Sequence, residues 1–535
     1  MNIFKKISVL HKGELFHRIK FFFDTKTKRY ERYIVSGTKK VEIAKKLDIF
    51  SNETELKFNN LDINTNCHDE TCNCSPWYEL NESMFNGDIR EYWESSRFQD
   101  INIILSNYIV TQDDAYLVKI DDFLINWFKK NPIDCGFNHI SNLEIAIRFV
   151  SLYRIYYYAS DQISFDINRV LYIYGLHLFF DLPRTNACIP NNHSLGEATA
   201  LLLAANIFQN KKWEKLAVST IKKRIDLIND NGESIEESSG YQLFVTQMLL
   251  LISAITREFD SVIIPRIVKS RMILSALSDN EGNIAPFGDC DDGVFYVFDE
   301  LTSNNITNIT NHFLINSKKV DEYEHHHDIS IRKTSEYISI IENGVWKVAL
   351  IGGYDLNHAH VQSLSFVAWH KGKQVVFAPG TFRYNGDRSL IRKKLASQEF
   401  SNTPKIIGID RNNYVTNFRH HRIIKDVSLV ASNEQESICG MMKIRGKDIK
   451  RTITIKDDFL EVIDEGNAKF DSIAICGCEH LSVMINGNNC VYEYKPFSPK
   501  YGTLSEKPYF ILLDSNHKKN VIVLKYEESI VFNKA

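Results

Sequence analysis

The chain of 535 residues contains only 11 prolines, so no proline-rich linker divides it. It has no apolar run near the about 18–20 residues that a membrane-spanning helix needs. No secretory leader is expected from its first residues. The first apolar residues are broken by His11, Lys12 and Glu14, short of the roughly 7–15 apolar residues and small-residue cleavage site of such a leader. On this basis a cytoplasmic location is expected, or a periplasmic one if export is non-classical or the true start lies elsewhere. The net charge of -3 is small and gives no reason to expect a nucleic-acid partner. Ten cysteines in so long a chain do not make a disulfide-stapled scaffold. Cys67, Cys72 and Cys74 crowd around His68, but no second Cys or His pair follows at zinc-finger spacing. A metal knuckle and a polar loop with free thiols are both open readings.

Aromatic residues are plentiful, with 33 Phe and 24 Tyr. They suit a thick core or a sugar-stacking cleft, and composition does not choose between the two. Segment 16–33, with Phe21, Phe22 and Phe23 flanked by Lys and Arg, reads as an amphipathic helix. It would dock on the protein itself, or touch a membrane surface or partner.

The rest of the chain has two textures. From about 80 to 315 the apolar spacing is helical, with helices expected over 143–158, 168–180, 194–208, 211–229 and 240–257. Many helices with short connections suggest a bundle, a solenoid or an α/α toroid. From about 330, short runs rich in Ile, Val, Phe and Thr alternate with Gly, Asn and Asp turns, the pattern of an antiparallel β-sandwich. The expected division is a helical or irregular segment over 1–80, a helical domain over 81–315 and a β-domain over 316–535. His325, His326 and His327 near the boundary read as a solvated linker in preference to a metal site.

Candidate chemistry lies in four segments. In Asn191-Asn192-His193-Ser-Leu-Gly-Glu197, His193 and Glu197 are four apart and share a helical face. Asn192 stands where an amide and free backbone N–H groups can bind a carboxylate. The same residues also suit an Asn cap with a structural His–Glu pair. In the second segment Glu236 and Glu237 lead through Ser238, Ser239 and Gly240 to Tyr241, a phenol able to exchange a proton or simply to pack. The third is Asn357-His358-Ala-His360-Val-Gln362, in which an extended chain would place both histidines on one face, as a general base and a metal ligand. The fourth, Ala378-Pro-Gly-Thr381-Phe-Arg-Tyr384 with Arg388, Arg392 and Ser401-Asn402-Thr403, is basic and polar. Arg388 and Arg392 there could hold an acidic substrate or lie in solvated loops.

These segments together resemble the heparinase II/III-like family of polysaccharide lyases. Asp88-Ile-Arg90-Glu-Tyr-Trp93-Glu94-Ser-Ser-Arg97 and Asn142-Leu-Glu144-Ile-Ala-Ile-Arg148 are similar to its helical signatures. Gly288-Asp289-Cys-Asp291-Asp292-Gly293 is similar to its Gly-Asp-x-Asp-Asp-Gly loop, and His358-Ala-His360 to its His-x-His strand. The likeness runs from about Gly87 to the C-terminal part. It implies an α+β multidomain fold, with an N-terminal incomplete (α/α) toroid followed by a C-terminal antiparallel β-sandwich. The implied reaction is β-elimination on an acidic polysaccharide or oligosaccharide at a uronic acid. By position, Asn192 and His193 would neutralise the carboxylate, Tyr241 would act as acid or also as base, and His358 as the other base. Asn191, Glu197, Glu237, Arg388, Arg392 and Asn402 would line the substrate site.

The chain departs from that family at three places. Gln362 stands for an Asp, Ala378 for an Asp before the Pro-Gly turn, and Ser401 for a His. Of the zinc-ligand positions in zinc-containing members only His360 survives, so no zinc and no other cofactor is expected. A glycan-binding protein, or an enzyme of polysaccharide assembly or modification on the same frame, are the alternatives to a lyase. The missing leader favours these two, because degradative lyases usually work outside the cytoplasm.

Overall fold

The computed structural model describes residues 14–26, 42–50, 75–296, 318–326 and 334–527, apart from 357, 359, 386–388, 413, 417–418, 421, 433, 435 and 513–516. The Cys67/Cys72/Cys74 cluster, His327, Arg388, Asn357 and the expected boundary near 315 lie outside the described residues, as do 27–33 of the amphipathic segment.

The N-terminal part is helical. Helix α1 (Glu14–Lys26) precedes α2 (Ile89–Glu94), α3 (Gln99–Thr111), α4 (Ala115–Lys130), α5 (Asn142–Ala159), α6 (Ile167–Cys188), α7 (Asn192–Ile207), α8 (Lys211–Arg224), α9 (Ser239–Ile255), α10 (Asp260–Ala276) and α11 (Lys318–His326). Helices α5, α7 and α9 are buried almost all round, which explains why their sequences are apolar on every face. Two arginines inside α5 are tolerated because main-chain carbonyls and a serine hydroxyl receive them. Arg148 donates to Asn138 O, and Arg154 to Asn102 O at 2.7 Å and Ser106 Oγ at 2.8 Å. Helix α6 continues to Cys188, beyond the expected end near 180. Packing of Leu182, Thr185 and Ala187 outweighs the hydrogen bond lost at Pro183.

The C-terminal part is built from antiparallel sheets. Strands β1 (Ile338–Glu342), β2 (Trp346–Ile351), β3 (Ser365–His370) and β4 (Lys373–Val376) pair in sequence order. They are followed by the short helix α12 (Ser389–Leu395). Then come β5 (Ile424–Ser432), β6 (Ser437–Ile444), β7 (Lys447–Ile455), β8 (Phe459–Gly466), β9 (Ile473–Cys476), β10 (Leu481–Ile485), β11 (Val491–Phe497), β12 (Ser505–Leu512) and β13 (Lys519–Tyr526). An eight-stranded sheet runs Thr334–Ser335, β5, β6, β7, β8, β13, β10 and Asn488–Asn489, and a smaller one runs β9, β12, β11.

The four-stranded sheet joins the two parts. Ile338, Ala349, Ile351, Val367 and Trp369 on one face enter the helical core. Val348, Leu350, Phe366 and Ala368 on the other face pack with Leu429, Ile453 and Val462 of the large sheet. Because both faces are covered, β2 and β3 read as nearly unbroken apolar runs.

One buried ion pair ties the large sheet to this joint. Arg451 of β7 bonds Asp464 of β8 at 2.6 and 2.7 Å, with both side chains fully buried. Its third nitrogen donates to Leu364 O and Asn402 O, each at 2.6 Å. Asp464→Ala is expected to lower unfolding stability by about 3–5 kcal/mol, because it leaves a buried guanidinium uncompensated. Urea denaturation measures this, and an unchanged midpoint and slope would refute the assignment.

Candidate active site

The site is assembled where loops from both parts meet. Helix α7 begins with Asn191 as its cap, whose Oδ1 accepts from His193 N at 3.0 Å. Helix α9 begins with Ser238 as its cap, accepting from Tyr241 N at 3.2 Å. These two helix starts, with α1, α2 and the loop around Tyr384, line a cavity of about 430 Å³. Asn191, Asn192, His193, Tyr241 and His358 all reach it. Of the candidate catalytic residues, none is left out.

The loop 288–293 organises the opposite wall. Asp289 is fully buried, and its carboxylate accepts from Arg392 Nη2 at 2.9 and 2.6 Å. His360 Nε2 lies 3.3 Å from Asp289 Oδ1, and His358 Nδ1 lies 3.4 Å from Oδ2. Burial alone would raise this carboxyl, but the Arg392 charge and the two imidazoles hold it well below the usual range. Asp289 N also donates to His358 O at 2.7 Å. His358 is therefore gripped at both its backbone and its ring.

The two histidines do not lie on a strand, as the extended reading expects. His358 has a left-handed backbone, φ 56°, and β3 starts only at Ser365. They converge because the loop is pinned shut. Asp355 Oδ1 accepts from Gln362 N and Ser363 N at 3.0 and 2.9 Å, and Arg411 Nε holds Asp355 Oδ2 at 3.0 Å. Gln362, standing for an acidic residue, bridges two motifs. Its amide donates to Glu237 O at 2.8 Å and accepts from Gly288 N at 2.9 Å. Only glycine fits at 288, where φ is +65° and a Cβ would lie 2.4 Å from Glu237 O.

Tyr241 stacks on His358 with ring centroids 4.0 Å apart. Its hydroxyl lies 3.2 Å from Tyr384 OH and 3.3 Å from Asp291 Oδ2. Burial, and then the charges of Asp291 and Asp289, keep the phenol well above its ordinary pKa and therefore protonated. Burial, and then the proximity of His358, lower His193 to about 4, so this imidazole is neutral at neutral pH. Asn192 Nδ2 donates to both oxygens of Glu236 at 3.1 Å, and burial raises the Glu236 pKa.

Several expected substrate contacts lie elsewhere. Arg392 does not face the cavity; it is buried on Asp289, the nearest acidic group that can compensate it. Asn402 clamps the Phe366 backbone through both amide atoms at 2.8 Å. Glu237 accepts from Tyr354 N and Asp355 N at 2.9 Å each. Glu197 turns away from His193 to Asn142 Nδ2 at 3.3 Å. Conversely, Arg90 with Asp291, Arg97 with Glu144, and Tyr384 were not among the expected site residues. The acidic loop 288–293 was the signal that would have found the first and last. Helix α1 packs on α6 and brings Glu14 and Arg18 to the rim of the cavity, with Leu15, Phe16 and Ile19 exposed on its outer side.

The residues at the zinc positions do not fit that ion. Ala378 offers no donor, Ser401 Oγ accepts from Thr403 N, and the cation next to His360 and Asp289 is a guanidinium. Among the described residues no group of three or more His, Cys, Asp or Glu is placed to hold a metal ion, and no helix is long and apolar enough to cross a membrane.

No family model matches the sequence, and no curated protein matches it. Solved structures do. A heparinase III aligns with a TM-score of 0.61 at 12% identity, covering 97% of this chain and 93% of that chain. A second heparinase III aligns with a TM-score of 0.56 at 13% identity over 83% and 82%. A mutant of the heparan sulfate lyase HepC from Pedobacter heparinus aligns with a TM-score of 0.52 at 14% identity over 99% and 94%. The order of a helical part followed by antiparallel sheets is thus the fold of these polysaccharide lyases. At such identities the likeness is one of fold.

The burial of Glu197 yields a pH signature. Burial, and then the Asp181 charge, push its carboxyl up to about 8, from 4.5 for the free group. Between these values the folded chain holds a proton that the unfolded chain has lost, so this group's contribution to stability falls as pH rises. Glu197→Gln removes that loss. Its melting temperature minus that of the unaltered protein is expected to be more positive near pH 8.5 than near pH 5, and a flat difference would exclude the raised pKa.

Proposed function

We propose that the protein is a polysaccharide lyase that cleaves a uronic-acid-containing glycan by β-elimination, on a frame consisting of an incomplete α/α toroid and a β-sandwich. The observation that carries this reading is the stacked Tyr241–His358 pair, which faces Asn192 and His193 across one cavity. The heparinase III and heparan sulfate lyase likenesses support it at the level of fold.

The C5 proton of a uronate is weakly acidic because the neighbouring carboxylate resists more negative charge. Asn192 and neutral His193 would bind that carboxylate by hydrogen bonds, stabilising the charge that develops on it. For this the Asn192 amide would turn its nitrogen from Glu236, to which it now donates, toward the sugar. With Nδ1–H directed at Asp289, His358 presents Nε2 as the base that takes the C5 proton. Tyr241, still protonated, gives its proton to the departing glycosidic oxygen. The C5–H and C4–O bonds break and a C4–C5 double bond forms, with no water consumed. Trp93, Phe244 and Tyr384 offer the cavity's apolar surface to sugar rings.

Incubation with a panel of acidic polysaccharides is expected to generate near-ultraviolet absorbance from the unsaturated uronate. Tyr241→Phe and His358→Ala are each expected to reduce that rate by about 10²–10⁴-fold. Tight glycan binding without any absorbance gain would favour the glycan-binding reading instead.

A further inference from the structure

Tyr384 meets the candidate acid directly, with its hydroxyl 3.2 Å from that of Tyr241. Asp291 Oδ2 stands 3.3 Å from the same Tyr241 oxygen. Burial alone would raise the Asp291 carboxyl, but the Arg90 charge at 2.9 Å holds it below the ordinary range. Asp291 is therefore ionised and can only accept. A phenol has one proton to give. When Tyr241 gives its own to Asp291, the bond between the two hydroxyls is donated by Tyr384.

Tyr384 is held firmly in that position. It is buried, and its backbone N–H is shared between Asp88 Oδ2 at 3.0 Å and the Tyr501 hydroxyl at 2.9 Å. The Tyr501 hydroxyl in turn donates to Asp88 Oδ2 at 2.7 Å, and the two tyrosine rings lie 5.2 Å apart. Asp88 caps α2, so the loop that carries Tyr384 is tied to the helical part, where Tyr241 resides. Loss of the Tyr241 proton is the costly half of the acid step. Burial and the charges of Asp291 and Asp289 all oppose a phenolate there. A hydrogen bond donated to that oxygen counters them, and it strengthens as negative charge builds.

We propose that Tyr384 is a positioning residue for the acid step: it donates its O–H to the Tyr241 oxygen and stabilises the phenolate left when Tyr241 protonates the departing sugar. The assignment rests on the lyase reading. In this step the Tyr241 O–H bond and the substrate C4–O bond break, and an O–H bond forms on the leaving sugar. The electron pair of the broken O–H bond stays on Tyr241, and Tyr384 keeps its proton throughout. Afterwards His358 releases the C5 proton to solvent and Tyr241 takes one back from it.

Leaving-group dependence in the full chain tests the proposal. The probes are two uronates of the epimer found in the cleaved polysaccharide, one with a sugar at C4 and one with 4-nitrophenoxide. A sugar alkoxide must be protonated as it leaves, whereas 4-nitrophenoxide departs as a stable anion. Tyr384→Phe keeps the ring against Tyr501 and removes only the hydroxyl. On the sugar probe it is expected to lower kcat by about 10–100-fold, the worth of a hydrogen bond to a charged oxygen, with a smaller change in KM. On the nitrophenoxide probe the loss is expected to be less than about 3-fold, since no acid is needed there, and that turnover also reports that the variant is folded. Added to Tyr241→Phe, Tyr384→Phe is expected to cost the sugar probe nothing further, because it acts through a hydroxyl already removed. Equal losses on the two probes, a further loss in the double variant, or an unaltered kcat on the sugar probe would each overturn the role of Tyr384 while leaving the lyase reading intact. Failure of the unaltered protein to cleave either probe or any polysaccharide of the panel would instead overturn the lyase reading, and this assignment with it.

Discussion

A carboxylate with no access to water must be compensated or it will not stay ionised, and Asp289 is such a group. Arg392, His358 and His360 converge on it from different stretches of chain. Its neighbours in the same loop extend the arrangement: Asp291 takes Arg90 from α2 and the Tyr241 hydroxyl from α9, and Asp292 takes the Tyr501 backbone. One short acidic turn thus gathers the start of the helical part, the middle of it and two loops of the sheet part. The geometry of the candidate acid and base follows from this compensation and not from any single element.

The alternation of textures along the chain was legible because it has a direct physical cause. Helices such as α5 and α7 and strands such as β2 and β3 bury enough apolar surface to leave their period in the sequence. Where the composition is mixed, the signal faded. Strand β6 carries Gly440 and two methionines, β11 carries Glu493, Lys495 and Pro496, and α10, which contains Pro265, is absent from the expected helices.

The residues that reach the cavity were more legible than their supports. Asn192, His193, Tyr241 and His358 stand at helix starts or in a loop of unusual composition, and motif likeness points to them. Arg392, Asn402 and Glu237 are polar residues in the right neighbourhood, but sequence does not tell a side chain aimed at a cavity from one aimed into the protein. Gln362 is the instructive case. As a departure from an acidic position it looks like a loss, yet its amide, unlike a carboxylate, can both donate and accept, and it does both between Glu237 and Gly288.

The four-stranded sheet, covered by helices on one face and by the large sheet on the other, has a mechanical consequence. Tyr241 arises from the helical side of this joint and His358 from the strand side, yet their rings are in contact. Prising the two sides apart would wet a close-packed apolar seam on both faces of β2 and β3 and separate the ring pair in the same stroke. The ring pair is therefore held together by the seam itself and not by the two loops that carry it.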